Sequence, residues 1–181
     1  FRSVTLPLAD GGEGTVDVLL QGLAGQKRSH QVEGPLGALV NAEWAILEPS
    51  ASNQKKTALI EIAAASGLDL LTPEQRDPLV ASSFGTGQLI LEAIEQGAQT
   101  IILGLGGSAT NDGGAGIVQA LGGRLLDRAG QELSRGGAAL ADLASIDLTD
   151  LDSRCADIEL IVACDVDNPL CGDNGASYIF G

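Results

Sequence analysis

An apolar run that passes directly into a long glycine-rich loop constrains the fold more than any other feature. Residues 100–105 read Thr-Ile-Ile-Leu-Gly-Leu, and the loop continues as Gly104-Leu-Gly-Gly-Ser-Ala-Thr-Asn-Asp-Gly-Gly-Ala-Gly116. A nearly continuous apolar run is typical of a strand that is buried on both faces of a parallel sheet. In α/β proteins the loop after such a strand lies at the carboxyl edge of the sheet, where ligands bind. The sequence therefore predicts an α/β fold with a binding loop at this point.

The rest of the chain alternates between strand and helix patterns. We predict further strands at 3–9, 27–33, 39–47, 56–63, 124–127 and 158–164, the last of them buried, and helices at 15–24, 84–96 and 114–121. The strands 39–47 and 56–63 are joined by a turn-rich segment, which indicates antiparallel pairing. The pattern favours an α/β class in which a parallel sheet is flanked by helices and extended by an antiparallel portion.

The charge balance excludes some classes of partner. The 181 residues include 10 Lys and Arg against 24 Asp and Glu, which gives a net charge of −14. A chain this acidic, without a basic stripe, is a poor binder of a phosphate backbone, so we expect no nucleic-acid partner. An anionic ligand would then be held by backbone N–H groups, helix N-termini or a divalent metal ion.

Cysteine and histidine narrow the available chemistry further. Cys155, Cys164 and Cys171 form no C-x-x-C pair, and the only histidine, His30, lies in a polar stretch. This pattern indicates neither a disulfide framework nor a zinc site, and it fits a reducing cytoplasm. No run approaches about 20 apolar residues, so we expect no membrane segment. Carboxylates, hydroxyls and backbone amides remain as the groups that can carry chemistry.

A short glycine motif occurs twice. Asp10-Gly-Gly-Glu-Gly14 and Asp112-Gly-Gly-Ala-Gly116 share the pattern D-G-G-x-G, and each lies between a predicted strand and a predicted helix. Successive glycines let backbone amides converge at a helix start, where the helix dipole also favours an anion. We expect the two loops to hold two anionic groups of the ligands. The alternative interpretation is that the glycines form tight turns and nothing more.

The side chains of the long loop and of one strand end are candidates for catalysis. The loop offers hydroxyls on Ser108 and Thr110, an amide on Asn111 and a carboxylate on Asp112, and Asp165 follows the strand 158–164. An Asp at a strand end suits a general base or a metal ligand, because the strand fixes its backbone while the carboxylate stays accessible. The alternative is a solvated turn residue.

The long loop also matches, formally, the dinucleotide-binding fingerprint. Gly104-x-Gly106-x-x-Ala109 follows a strand, and Asp127 ends the next strand at about the expected distance of 20 residues. That fingerprint requires a helix to begin within the glycine run, whereas residues 110–114 intervene here and contain two glycines that would weaken a first helical turn by about 2 kcal/mol. An NAD-dependent dehydrogenase is therefore retained as the alternative function.

Four segments resemble the bacterial glycerate kinase family of the glycerate 2-kinase type. They are Leu6-Pro-Leu-Ala-Asp-Gly-Gly-Glu-Gly-Thr15, Phe84-Gly-Thr-Gly87, Gly104-x-Gly-Gly-Ser-Ala-Thr-Asn-Asp-Gly-Gly114 and Ala163-Cys-Asp-Val-x-Asn-Pro-Leu170. The resemblance runs over essentially the whole chain. Members of the family continue beyond both ends of this sequence, so we expect an internal fragment of a longer protein.

The resemblance implies a cytoplasmic enzyme that transfers a phosphoryl group from ATP to D-glycerate, with Mg²⁺, and gives 2-phosphoglycerate. It also implies two α/β domains with the active site between them, residues 1–35 belonging to the first and residues 36–181 to the second. It leaves open a homodimer, and it leaves open that the fragment alone is non-catalytic and acts only by association.

Roles for individual residues follow from this resemblance. Asp165 and Asp112 are the predicted catalytic residues, with Asp165 acting as the base for the glycerate hydroxyl or as a Mg²⁺ ligand. Asp10 is the second predicted metal ligand. The predicted phosphate- and substrate-binding residues are Gly11, Gly12, Glu13, Gly106, Gly107, Ser108, Thr110 and Asn111.

Overall fold

The computed structural model describes residues 3, 4, 7–50 and 54–179. Its strands are β1 (Gly25–Glu33), β2 (Leu39–Leu47), β3 (Thr57–Glu61), β4 (Thr100–Gly104), β5 (Arg124–Leu126), β6 (Ser145–Asp147) and β7 (Glu159–Ala163). Its α-helices are α1 (Thr15–Leu20), α2 (Ile62–Ser66), α3 (Phe84–Glu95), α4 (Ala115–Ala120) and α5 (Ala176–Ile179). Among the described residues, none of these helices has the length and hydropathy to span a membrane.

One mixed sheet organises the fold. Its strands lie in the order β1-β2-β3-β4-β7, antiparallel from β1 to β3 and parallel from β3 to β7. This arrangement confirms the predicted α/β class, including its antiparallel portion. The parallel register places Glu61, Gly104 and Ala163 side by side at the carboxyl ends of β3, β4 and β7. The loops that follow these three strands therefore begin at one edge of the sheet.

Apolar side chains bury both faces of the central strands. On one face α3 packs against the sheet, and Leu89 and Ile101 belong to the same buried cluster as Trp44. On the other face α1 contributes Val16 to a smaller cluster with Leu59. These contacts hold the short helix α1 against β3, next to the carboxyl edge of the sheet.

Two glycines allow α3 and α4 to pack closely. A Cβ atom on Gly87 would lie 2.6 Å from the Cβ of Ala120, and one on Gly116 would lie 2.5 Å from the backbone nitrogen of Phe84. Helix surfaces with side chains at these positions could not approach this far. The close packing holds the end of the long glycine-rich loop against the start of α3.

Three predicted elements differ from the structure near the N-terminal half. In the predicted strand 3–9 the described residues form no strand; Pro7 lacks the N–H group of a sheet ladder, and residues 5 and 6 lie outside the described residues. The predicted helix 15–24 ends at Leu20, before the turn that contains Gly22. The predicted strand 56–63 ends at Glu61 because the alanine-rich segment that follows, a strong helix former, turns into α2.

Two later strands lie close to their predicted positions, and the structure shows which strands they pair with. β5 pairs antiparallel with β6 in a separate two-stranded sheet, and not with the main sheet. β7 pairs in parallel with β4 but lies at the sheet edge, where Leu160 and Val162 are 54% and 49% exposed. The prediction that this strand is buried was wrong, because an apolar run marks a strand and does not show which neighbours cover it.

We expect Gly87→Ala to destabilise the fold although it lies within a helix. Alanine ordinarily favours a helix interior by about 1 kcal/mol over glycine, but the overlap with Ala120 should reduce the free energy of unfolding by about 1–3 kcal/mol net. Equilibrium urea unfolding measures this change. Gly22→Ala is the control, because the nearest atom to the added Cβ is 4.0 Å away. Equal midpoints for Gly87→Ala and the wild type would contradict the close helix approach.

Candidate active site at the carboxyl edge of the sheet

Three segments meet where the parallel strands end: residues 10–14, 104–108 and 163–165. The Gly106 N–H donates to the Gly11 carbonyl at 3.1 Å, and the Leu105 N–H donates to the Ala163 carbonyl at 3.1 Å. A Cβ on Gly106 would lie 2.6 Å from the Gly12 Cα. The loop 10–14 therefore rests directly on the backbone of the long glycine-rich loop.

A cavity of about 440 Å³ opens beside this junction. Its lining includes Asp10, Gly11, Glu61, Gly104 and Asp165, over an apolar floor from β3, β4 and α1. Asp10 and Asp165 are both exposed. Among the described residues that line the cavity, none is Lys or Arg. Its volume is in the range of small-molecule sites, and the structure thus brings together the two acids that sequence reasoning proposed as metal ligands.

The first copy of D-G-G-x-G is held by two carboxylates. Oδ1 of Asp10 accepts the Gly12 N–H at 3.1 Å. Further along, Glu61 accepts the Gly14 N–H through Oε2 at 3.2 Å and the Val16 N–H through Oε1 at 2.6 Å. No described residue donates to Oδ2 of Asp10, so one oxygen of this exposed carboxylate is left for a ligand.

The second copy is held by its own aspartate. Oδ1 of Asp112 accepts the Gly114 N–H at 3.1 Å, and Oδ2 accepts the Gly116 N–H at 3.2 Å. Ser83 donates to the same Oδ2 through its N–H at 2.8 Å and through its hydroxyl at 2.9 Å. Asp112 is only 2% exposed. Its four hydrogen bonds fasten the end of the long loop to the start of α3.

These hydrogen bonds occupy amides at the two helix starts where we expected anions to bind. At α1 the amides of Gly14 and Val16 already donate to Glu61, and at α4 the Gly116 amide already donates to Asp112. A protein carboxylate therefore compensates the positive end of each helix dipole. An anionic ligand would have to find its donors elsewhere in the loops.

The long loop itself is ordered by partly buried contacts. The Leu68 N–H donates to the Gly107 carbonyl at 2.9 Å, and the Ala109 N–H donates to the Ser66 carbonyl at 2.8 Å. These two bonds form a short antiparallel bridge between residues 66–68 and 107–109. The amides of Gly107 and Ser108 have no partner among the described residues, and they are the donors available to an oxyanion.

The polar side chains of the loop pair with each other or with the chain's later residues. The hydroxyls of Ser108 and Thr110 lie 2.8 Å apart, and Oδ1 of Asn111 accepts a hydrogen bond from the Ser177 hydroxyl at 3.0 Å. A Cβ on Gly107 would lie 2.5 Å from Oε1 of Glu13, so this acid abuts the loop. The five predicted site residues of this group do not line the 440 Å³ cavity but extend the candidate site along the loop: Glu13, Gly107, Ser108, Thr110 and Asn111.

A smaller cavity lies on the other side of Glu61. It has a volume of about 290 Å³, and its lining includes Lys27, Asp17 and Glu43. The Lys27 ammonium lies 2.8 Å from Asp17 and 2.7 Å from Glu43, and these hydrogen bonds raise the pKa of Lys27. Two carboxylates therefore compensate the charge of this lysine.

The donor chemistry around Asp10 and Asp165 suits Mg²⁺. Among the described residues, no group of three or more His, Cys, Asp or Glu side chains could hold a metal ion. Mg²⁺ usually keeps several waters and binds through one or two carboxylates together with substrate phosphates. Two accessible carboxylates at one cavity meet this requirement, whereas a closed structural metal site would not form here.

The dinucleotide-binding alternative is wrong. The helix after Gly104-x-Gly106-x-x-Ala109 begins only at Ala115, outside the glycine run. Asp127 follows a strand of the small antiparallel sheet, and its Oδ1 accepts the N–H groups of Ala129 and Gln131, both at 2.8 Å. It closes a turn there and does not face a ribose site on the main sheet.

Sequence reasoning missed two residues that build the site. Glu61 ends a strand at the same edge as Asp165, so its position in the pattern offered a signal that was not used. Ser83 immediately precedes α3, where serine is common, but its bond to Asp112 spans 29 residues and has no local signature.

We expect Asp112→Ala and Asp10→Ala, at equivalent positions of the two motifs, to differ in stability. Removal of the Asp112 carboxylate leaves buried donors unsatisfied and should reduce the free energy of unfolding by about 3 kcal/mol or more. Removal of the exposed Asp10 carboxylate should cost under about 1 kcal/mol. Equilibrium urea unfolding compares the two variants, and similar losses would contradict the different roles assigned to the two acids.

Comparison with known proteins shows the family of this chain. The glycerate kinase family model matches residues 1–181. A glycerate 2-kinase of Escherichia coli (strain K12) is 57% identical and a glycerate kinase of Bacillus subtilis (strain 168) is 53% identical, covering 98% and 97% of this chain but 45% of each relative.

A solved structure gives the same result. The crystal structure assigned as a glycerate kinase 2 from Salmonella typhimurium LT2 superimposes with a TM-score of 0.88 at 52% identity, over 98% of this chain and 47% of that one. The chain thus spans about half the length of the relatives it matches. On the family model and on these relatives, this chain belongs to the glycerate kinase family.

Proposed function

We propose that the protein containing this chain transfers the γ-phosphoryl group of ATP to the 2-hydroxyl of D-glycerate and releases 2-phosphoglycerate and ADP. The observation that carries the proposal is the meeting of Asp10 and Asp165 at one cavity, beneath the glycine loops, in a member of the glycerate kinase family. Phosphoryl transfer depends mainly on positioning and on compensation of charge, and a preformed sheet edge supplies the first of these.

The reaction requires a group that accepts the proton of the glycerate hydroxyl. In the transfer, the hydroxyl oxygen forms a bond to the γ-phosphorus while the bond from phosphorus to the bridging oxygen of ADP breaks. We assign the proton to the carboxylate of Asp165, which follows β7, is exposed and lines the cavity. Alternatively Asp165 holds the metal ion, in which case it shares that role with Asp10.

The residues around Asp10 fit a Mg²⁺ ion. Oδ1 of Asp10 bonds to the Gly12 N–H, which orients the carboxylate and leaves Oδ2 for the ion. When bound, Mg²⁺ would offset the negative charge of the transferred phosphate, because no lysine is among the described residues that line the cavity. We propose that Glu13, which lies beside Gly107, contacts the metal ion or a substrate hydroxyl.

Substrate and phosphate oxygens would bind along the long loop. The amides of Gly107 and Ser108 offer donors, and the absence of side chains at Gly106 and Gly107 lets Gly12 and Glu13 pack against this part of the loop. Ser108, Thr110 and Asn111 would add hydroxyl and amide contacts. Gly11 and Gly12 contribute by close backbone packing, because their own amides donate to Thr15 and Asp10.

For Asp112 we propose a positioning role in place of the catalytic one that the sequence suggested. Its carboxylate is buried and accepts four hydrogen bonds from protein groups. A general base needs a free carboxylate oxygen to accept the substrate proton, and a metal ligand must face the ion. Asp112 does neither in this arrangement, whereas it fixes the loop that carries Ser108 to Asn111.

At the level of the whole protein, we propose a cytoplasmic enzyme whose partners are D-glycerate and a nucleotide and do not include nucleic acid. The division into a first α/β domain (residues 1–35 and further chain) and a second (residues 36–181 and further chain) also remains a proposal. In the structure β1 and β2 pair across this boundary, so a continuous β-ladder joins the two sides of it. A homodimer is compatible with this account.

We expect Asp165→Asn to lower kcat at least about 100-fold if Asp165 is the base, because asparagine cannot accept the hydroxyl proton. The measurement is Mg·ATP-dependent ADP release with D-glycerate in an active protein that carries this chain. Asp167→Asn is the matched control, because Asp167 is an exposed acid two residues away that does not line the cavity. A variant that retains most of its kcat would remove Asp165 from the chemistry.

The proposed activity is tested on two proteins, this chain and a longer protein that contains it. We expect ADP release that depends on both Mg²⁺ and D-glycerate in the longer protein, and weaker or no turnover in this chain, which spans about half of its relatives. Folded but inactive samples of both would contradict the proposal.

A further inference from the structure

The first turn of α1 depends on a carboxylate from another strand. Glu61 is the last residue of β3 and is 9% exposed. Both of its oxygens are used, Oε1 by the Val16 N–H at 2.6 Å and Oε2 by the Gly14 N–H at 3.2 Å. The N-cap residue is Gly14, which has a φ of 86° and, being glycine, no side chain with which to cap the helix. A six-residue helix is too short to be stable alone, and Glu61 supplies the missing cap.

Comparison of the two D-G-G-x-G motifs shows what this cap achieves. In both motifs the aspartate accepts the N–H of the third residue, Gly12 or Gly114. The N–H of the fifth residue differs: Gly116 donates to Asp112 itself, whereas Gly14 donates to Glu61. In the first motif an acid from outside the motif accepts the N–H of the fifth residue. Asp10 therefore does not turn towards that amide as Asp112 does, and its carboxylate stays exposed at the cavity.

We propose that Glu61 is a positioning residue that fixes the loop 10–14 on the sheet edge so that Asp10 faces the cavity it shares with Asp165. Glu61 lies beside Gly104 in the parallel register, next to this loop. It lines both the 440 Å³ cavity and the smaller 290 Å³ cavity. The effect of Glu61 on catalysis rests on the proposed function, whereas its effect on the loop is a property of this chain alone.

Amide hydrogen exchange of this chain tests the effect on the loop directly. In Glu61→Gln one carboxylate oxygen becomes an NH₂ group, so one of the two amides loses its acceptor. We expect exchange to accelerate about tenfold at whichever of Gly14 and Val16 faces the new NH₂ group, as the loss of one hydrogen bond predicts. Exchange at Gly114 and Gly116 should not change. The control is Thr100→Val, a buried polar position at the opposite end of the neighbouring strand β4.

Two results of the exchange experiment would overturn the proposal. Unchanged exchange at Gly14 and Val16 would show that Glu61 does not hold the loop. Equal acceleration at both motifs would show a general loss of stability instead of a local one. Glu61→Asp provides a second variant if Glu61→Gln does not fold; its shorter side chain keeps the charge and should accelerate exchange at the same two amides.

A double-mutant cycle with Asp10→Asn tests whether Glu61 acts through Asp10. In the longer protein, Glu61→Gln should lower kcat/KM for D-glycerate about tenfold or more in the wild-type background, and less than about threefold when Asp10 is already asparagine. Independent, multiplicative losses would contradict a role through Asp10. If the longer protein does not phosphorylate glycerate, the proposed function fails while the exchange experiment still decides the role of Glu61.

Discussion

The contact between two stretches of bare backbone is the constraint on which the site depends. Gly11 and Gly12 rest on Gly104 and Gly106 so closely that a Cβ atom at any of these positions would meet backbone atoms or, at Gly12, the Asp10 carboxylate. Because β4 ends at Gly104, this contact fixes the position of the loops relative to the parallel strands that they follow. A single side chain here would lift the loop 10–14 away from the sheet and separate Asp10 from Asp165.

Carboxylates occupy the helix starts and pair with the lysine that many phosphate sites would use to bind the anion. Glu61 and Asp112 each occupy a helix start, and Lys27 is compensated by two acids. The resulting site is strongly negative, which suits a metal ion and opposes an anionic ligand that arrives without one. The same five-residue motif thus yields a buried anchor in one copy and an accessible acid in the other.

Strong local patterns in the sequence were sufficient for much of the fold. The bounds of β2 were predicted to the residue, and α3 and β4 to within one, because their apolar patterns are pronounced and glycine or turn residues flank them. The exposed edge position of β7 and the separate pairing of β5 depend on neighbours distant in the chain. The bond from the Val16 N–H to Glu61 was missed for the same reason, because it joins residues 45 positions apart.

The central claim is that substrate, nucleotide phosphates and metal ion meet at the cavity lined by Asp10, Gly11 and Asp165. A crystal structure of the longer protein with Mg²⁺, a non-hydrolysable ATP analogue and D-glycerate tests it most directly. The account predicts the glycerate 2-hydroxyl and the γ-phosphate at this cavity, with a carboxylate oxygen of Asp10 or Asp165 on the ion or its waters. Ligands bound at a site that touches none of the loops 10–14, 104–111 and 163–165 would contradict it.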